Sequence, residues 1–309
     1  MNSTPPQTKG HIAAIEAGGT KFVCATAKDS HQLLDRVRIP TSFPAETFPQ
    51  VVDFLKSQEA QYGALAGIGI ATFGPLDVDP LSPSYGIMGN TPKMGWSGVD
   101  VLEAYRAEFD VPIAIDTDVN CAALGEGLWG AARGKSSYLY VTIGTGIGGG
   151  AISGGRLVRG ISHPEMGHIV IPHDKAEDPF PGICPYHGDC FEGLASGPAI
   201  EARWGASSRE LPPNHPAWSL EATYIASALV SYAMILSPQR IILGGGVMHQ
   251  THLWPLIRAK VATYMQDYLP FPEMGADIEQ WICAPEYEGD SALLGALALV
   301  AQSIPNNKI

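Results

Sequence analysis

Near its start the chain alternates apolar and polar positions in three short runs, which predict three β-strands. IAAIEA leads into Gly18-Gly19, residues 21–27 alternate, and residues 32–39 follow a polar turn. The period then changes: across residues 44–60, Phe48, Val51, Val52 and Leu55 share one face of a helix. Residues 65–71 predict a buried strand that stops at Phe73-Gly74-Pro75. Residues 76–98 hold seven further glycines or prolines and predict a long loop, a common home of function. The spacing predicts a helix over 99–109, a strand over 111–115, and a helix that Asp118 opens and that runs to about residue 132.

The same order then starts again. Residues 137–143 predict a strand ending in a glycine cluster, residues 148–153 and 157–161 a hairpin, and residues 168–172 another strand. A loop with cysteines follows, then helices over 196–203 and 220–236. A strand over 240–243 ends in Gly244-Gly245-Gly246; a helix over 252–268, a strand over 278–284 and a helix over 290–302 complete the pattern. Element order thus repeats with a period near 125 residues, which reads as an internal duplication. Two α/β halves, each with a glycine turn near its start, predict a cleft holding a phosphate chain; chance likeness of two α/β halves is the plain alternative.

Composition narrows the function classes. The 309 residues suffice for two domains of about 150 residues each. The net charge of −12 disfavours nucleic acid, which asks for a basic face. No apolar run approaches the ~18 residues of a membrane span, and the richest, residues 291–301, is too short. The first ten residues are polar, with two prolines, and read as a frayed tail where a signal peptide would need an apolar stretch. Five cysteines make no disulfide framework, so a cytoplasmic protein is expected. The 35 glycines are clustered, and clustered glycines after strands let backbone approach a phosphate.

The glycine motifs can be sorted by context. Gly144-Thr145-Gly146-Ile147-Gly148-Gly149 formally matches a dinucleotide fingerprint, but a second strand follows it where the fingerprint needs a helix. Gly130 to Ser136 has too few residues between its glycines for a P-loop and follows a helix. Glu16-Ala17-Gly18-Gly19-Thr20-Lys21 is a second strand-turn-strand. Two such turns can clamp a phosphate chain with backbone N–H groups and the hydroxyls of Thr20 and Thr145; as ordinary hairpins they would do nothing more. In Asp116-Thr117-Asp118-Val119-Asn120, Asp118 follows a buried strand and opens a helix, where it reads as an N-cap and where the helix end favours an ionised carboxylate. Cys184-Pro185-Tyr186-His187-Gly188-Asp189-Cys190 places three potential ligands three residues apart, with His168 sixteen residues upstream. That set suits a closed tetrahedral zinc site; two reduced thiols and a loop histidine are the alternative. His163, His173 and His215 read as loop histidines, and Cys24, Cys121 and Cys283 as small core residues.

Those motifs give the chain a resemblance to the ROK sugar kinases, within the actin/hexokinase fold, over about residues 11–302. The resemblance implies a two-domain, duplicated, ribonuclease H-like α/β fold with a zinc loop. A smaller domain, 1–118, would take the last helix (about 290–309) as its completing element, and a larger domain would span 119–289. Residues 16–21 resemble the family's first phosphate turn, 143–149 its second, and 243–248 its adenosine-side glycine turn. ATP would then be met by Glu16, Gly18, Gly19, Thr20, Lys21, Thr145, Gly146, Pro198, Gly244, Gly245, Gly246, Val247 and Met248. The family usually has Asp where Glu16 stands, and that carboxylate would help hold Mg²⁺. Asp118 would act as general base on the attacking sugar hydroxyl. Many members carry Asn-Asp where this chain has Thr117-Asp118, so Asn90 of Gly89-Asn90-Thr91-Pro92-Lys93 becomes the candidate for the missing sugar contact, with Thr91 beside it as a further sugar-binding candidate.

By the same resemblance Glu165, His168 and Glu192 contact sugar hydroxyls, and His168, Cys184, His187 and Cys190 hold a structural Zn²⁺. Many members use three cysteines. His187, the Glu16–Lys21 turn and Asn90-Thr91-Pro92-Lys93 resemble the fructokinase branch. The implied reaction is transfer from ATP to D-fructose, giving D-fructose 6-phosphate. Glucose, mannose or N-acetylmannosamine kinases of the family are the alternatives, as is a sugar-sensing regulator. Such a regulator carries a DNA-binding segment of some tens of residues, whereas about ten polar residues precede the first strand here. A homodimer is expected, without nucleic acid or membrane as partner.

Overall fold

The computed structural model describes residues 10–28, 32–266, 268–269, 271 and 275–304. Most of the polar opening (residues 1–9) and residues 305–309 of the expected completing segment lie outside the described residues. The chain divides into two units: Met1–Gly134, Val158–His163 and Gly289–Ile309 form one, Lys135–Leu157 and Pro164–Glu288 the other.

In the first unit β1 (His11–Ala17) pairs antiparallel with β2 (Lys21–Ala27), and β2 with β3 (Leu33–Pro40). β4 (Leu65–Thr72) lies parallel to β1 and β5 (Ile113–Thr117) parallel to β4, in the order β3-β2-β1-β4-β5. β1 and β4 are almost wholly buried, as near-continuous apolar runs must be when both sheet faces are covered. α1 (Pro44–Tyr62) starts on a proline, whose missing N–H costs nothing there, buries Val51, Val52 and Leu55, and ends at Gly63 with φ 93°. Phe48 packs edge-on against Trp96, 5.4 Å between ring centroids, over this sheet. α2 (Glu103–Arg106) is one turn, and α3 (Asp118–Leu128) leaves directly from β5.

The second unit repeats the connectivity strand for strand. β6 (Tyr138–Ile143), β7 (Ile147–Ser153) and β8 (Arg156–Leu157) form an antiparallel meander; β9 (Ile241–Gly244) and β10 (Ile282–Cys283) add parallel on the other side of β6. Its order, β10-β9-β6-β7-β8, is the first sheet's pattern. Its helices are α4 (Phe191–Ala195), α5 (Gly197–Trp204), α6 (Ala217–Leu236), α7 (Leu253–Met265) and α8 (Ile278–Trp281). One helix does reach the length and hydropathy of a membrane span, contrary to the expectation from sequence: α6, with 20 residues and a mean hydropathy of 1.4. Half of that stretch is buried against the rest of the chain, so it serves as a core helix.

α9 (Ser291–Ala301) belongs to the first unit and packs on α3, β4 and β1. The approach is closer than side chains allow. A Cβ on Gly295 would lie 1.7 Å from the Cys121 carbonyl oxygen, and one on Gly69 would lie 1.9 Å from that of Ala296.

Four expected elements differ, each because a tertiary contact outcompetes local pattern. In the expected 99–109 helix only α2 forms, because residues 99 and 101 are bonded as extended chain to the preceding loop (Met88 N–H to Val99 O at 2.8 Å, Val101 N–H to Gly86 O at 3.0 Å). The expected 157–161 strand stops after β8, since Arg159 turns into the first unit, ion-paired with Asp116. Residues 168–172 form no strand; a 3-10 turn, Met166–His168, swings His168 toward the cysteines. The 278–284 strand starts late because α8 buries Trp281, whose Nε1–H bonds Pro238 O at 2.8 Å.

Candidate active site

In the first unit the β1–β2 hairpin carries Gly18, Gly19, Thr20 and Lys21. Gly18 N–H closes it on Lys21 O at 3.0 Å. Thr41, after β3, braces it twice: its N–H donates to Thr20 O at 3.0 Å and its hydroxyl to Gly18 O at 2.7 Å. Among the described residues nothing accepts from the N–H of Gly19 or Thr20, so the turn presents two open donors, as an anion site requires. Asn90 is exposed and Thr91 half-buried, tied by Thr91 N–H to Ser97 Oγ at 3.1 Å. Lys93 reaches back from the same segment and donates from Nζ to Thr41 O at 3.3 Å.

Glu16 lies on β1, and its Oε2 is buried with no hydrogen-bond partner. Burial, reinforced by the nearby Asp118 carboxylate, pushes its pKa up to about 7, against the opposing pull of Lys21. An orphaned buried carboxylate oxygen beside a second carboxylate fits a hard divalent cation such as Mg²⁺.

Asp118 is the first helical residue of α3. The N-cap expected of it is Thr117, extended at φ −67° and ψ 153°, whose hydroxyl accepts from Asn120 N–H at 3.2 Å. Asp118 is half-buried and its Oδ1 accepts from Val119 N–H at 2.8 Å. Behind it Asp116 is fully buried; it accepts from Thr117 N–H at 2.8 Å and Asn120 Nδ2 at 2.7 Å, and pairs with Arg159. Sequence reading passed over Asp116, Asn120 and Arg159.

In the second unit the β6–β7 hairpin carries Thr145 and Gly146. Gly144 N–H closes it on Gly146 O at 2.9 Å, and Gly197 N–H, at the start of α5, bonds Gly144 O at 2.8 Å. The N–H groups of Thr145 and Gly146 meet no acceptor among the described residues. Pro198 is exposed on the first turn of α5. The Gly244–Met248 turn adjoins: a Cβ on Gly197 would lie 3.9 Å from Val247 Cγ2. Gly245 has φ 93° and no room for a side chain against Ile143, while Trp254 Nε1–H holds Met248 O at 3.1 Å.

His168, Cys184, His187 and Cys190 converge in the same unit, their ligand atoms all within 4.8 Å of one another. His168 Nδ1 lies 3.6 Å from Cys184 Sγ and 3.5 Å from Cys190 Sγ; His187 Nδ1 lies 3.6 Å from Cys184 Sγ. Tetrahedral zinc, with Zn–N about 2.0 Å and Zn–S about 2.3 Å, separates N and S ligands by ~3.6 Å. The donor set therefore fits that ion. His168 Nε2 faces Glu192 Oε1 at 3.9 Å. Glu165 is exposed and caps the turn that carries His168, and Tyr232 OH fixes this turn by donating to Met166 O at 2.5 Å.

The three histidines expected in loops are each held by neighbours. His163 Nε2 accepts from Leu76 N–H at 3.2 Å. His173 lies between Asp189, at 3.0 Å, and the Asp178 carbonyl, at 2.9 Å. His215 packs edge-on against Trp204. Cys24 and Cys121 are buried, while Cys283 is half-exposed beside Arg240.

A family model described as the ROK family matches residues 12–303. A protein of Bacillus subtilis (strain 168) is 48% identical over 293 residues, 95% of this chain and 96% of its own. A fructokinase of Zymomonas mobilis is 43% identical over 289 residues, 92% of this chain and 94% of its own. Among solved structures, a ROK hexokinase from Thermus thermophilus superposes with a TM-score of 0.77 at 26% identity, over 95% of this chain and 99% of its own.

Proposed function

Because this chain belongs to the ROK family, we propose that it is an ATP-dependent fructokinase, transferring the γ-phosphoryl group of ATP to D-fructose to give D-fructose 6-phosphate. The observation that carries this reading is near full-length likeness to several fructokinases.

The residues take the following roles. The open N–H groups of Gly19 and Thr20 in one unit, and of Thr145 and Gly146 in the other, bind phosphate oxygens, with Lys21 beside the first turn. Gly244 to Met248 and Pro198 receive the adenosine end. Glu165, His168, Glu192, Asn90 and Thr91 orient the sugar by its hydroxyls. Asp118 accepts the proton of the attacking hydroxyl. Its place on the first turn of α3 fixes where the carboxylate points, and a loose phosphoryl-transfer transition state asks for orientation more than for deprotonation. Glu16 would hold Mg²⁺, which when bound offsets the charge of the phosphates. The zinc ligands take no part in the transfer; they fix residues 168–192, and with them the sugar-facing groups. The enzyme works as a cytoplasmic homodimer, where ATP is at hand.

The test is an ADP-release assay with Mg²⁺ over fructose, glucose, mannose and N-acetylmannosamine. Fructose should give the highest kcat/KM. A clear preference for another sugar would move the chain to a different branch, and the absence of turnover with all four would refute the kinase.

A further inference from the structure

Glu192 is assigned above to the sugar, yet the contact it makes inside the protein is with the other substrate's turn. Its Oε2 accepts the backbone N–H of Ile147 at 2.8 Å, directly after Thr145-Gly146. Ile147 is 5% exposed, so water replaces that acceptor poorly. The fit is close: a Cβ on Gly146 would lie 2.8 Å from the same oxygen. The other oxygen, Oε1, faces His168 Nε2 at 3.9 Å. Glu192 follows Cys190 by two residues and sits on α4, whose backbone is tied in by Leu194 N–H to Cys190 O at 3.0 Å.

We infer that Glu192 is a positioning residue for nucleotide binding: by engaging the Ile147 N–H it holds the β6–β7 turn in the shape that presents the Thr145 and Gly146 N–H groups to phosphate. This deepens the kinase reading and rests on it. It follows that the metal-braced segment supports the phosphate turn as well as the sugar pocket. Without the carboxylate a buried N–H loses its acceptor and the glycine-rich turn gains freedom that ATP must remove on binding.

Two substitutions separate this role from sugar recognition. Glu192→Gln keeps an oxygen that can accept from Ile147 N–H and removes the charge; Glu192→Ala removes the acceptor. Affinity for a non-hydrolysable ATP analogue with Mg²⁺ would be measured by calorimetry on sugar-free, zinc-replete protein, with zinc content checked. Glu192→Ala should weaken nucleotide binding about 10-fold and Glu192→Gln by less than about 2-fold, while both raise KM for fructose. Gly146→Ala, which would push the carboxylate away, gives an independent arm. It should weaken nucleotide binding in the wild type and cost no further loss in the Glu192→Ala background, so the two effects are not additive. Nucleotide affinity unchanged in Glu192→Ala, or full additivity of the two substitutions, overturns the inference. If Glu192→Ala loses zinc or fails to fold, Gly146→Ala decides alone: unchanged nucleotide affinity counts against the brace. Wild-type protein that binds nucleotide but phosphorylates no sugar would sink the kinase reading instead, and the binding arms would still test the brace.

Discussion

Gly295→Ala adds one methyl group to the contact between α9 and α3. Its Cβ would lie 1.7 Å from the Cys121 carbonyl oxygen, whereas ordinary contact begins at 3.4 Å. A backbone oxygen cannot rotate away, so the helices must part locally by an amount on the order of 1.5 Å. Alanine by itself favours a helix over glycine by about 1 kcal/mol, and overpacking costs ~1–3 kcal/mol or somewhat more, so a clash this deep should leave a net loss of about 2 kcal/mol. In a unit of this size that lowers the melting midpoint by roughly 4–8 °C. The functional effect should be larger. Cys121 lies less than one turn after Asp118 on the same rigid helix. Misplacing a reacting group by about 1 Å costs on the order of 100-fold, so kcat should fall by about that factor with KM for ATP little changed. Gly125→Ala should act in the same direction more weakly, because its Cβ would stop 2.3 Å from Ser291 O. ADP release and thermal melting read both. A Gly295→Ala protein with the parent's kcat and melting midpoint would refute the link from helix contact to base position.

Three further outcomes are expected. Asp118→Asn should keep the melting midpoint within a few degrees and lose at least ~100-fold in kcat, within the range for a general base; most activity retained would remove Asp118 from that role. Chelation that strips zinc, confirmed by metal analysis, should abolish activity and expose residues 168–192 to proteolysis, and full activity in zinc-free protein would contradict it. Glu16 keeps its proton in the folded chain between pH 4.5 and about 7, where the unfolded chain has lost it, so metal-free stability should fall as pH rises through that window. Mg²⁺ affinity should rise over the same range. Glu16→Gln should flatten both slopes, and identical pH profiles for the two proteins would show that Glu16 is not the titrating group.

Local features were legible and long-range ones were not. The glycine hairpins, the Cys184-to-Cys190 spacing and the strand leading to Asp118 are written within a few neighbouring residues, as are most helices with a clear apolar face. Misread elements share one cause. Residues 99–101 look helical and are held extended by Gly86 and Met88; residues 278–281 look like a strand and coil because Trp281 reaches Pro238. The Asp116–Arg159 pair spans 43 positions and the Glu192–Ile147 bond 45, and no single-residue signal announces either. Buried charge is a partial cue: an Asp between Ile115 and Thr117 at a strand end needs a partner, though sequence does not say which.

The membership of α9 in the first unit sets an order of assembly on the ribosome. Gly69, Cys121 and Gly125 await a helix synthesised more than 160 residues after α3 ends. At about 5–20 residues per second the delay is on the order of ten to thirty seconds. Through that interval the N-terminal sheet lacks part of the cover on one face, where α3 packs on β4 and β5 without α9, while the second unit's strands and helices are made in one nearly unbroken stretch. Nascent chains stalled before residue 291 should therefore bind hydrophobic-surface chaperones through the first unit, and those stalled beyond residue 301 should release them.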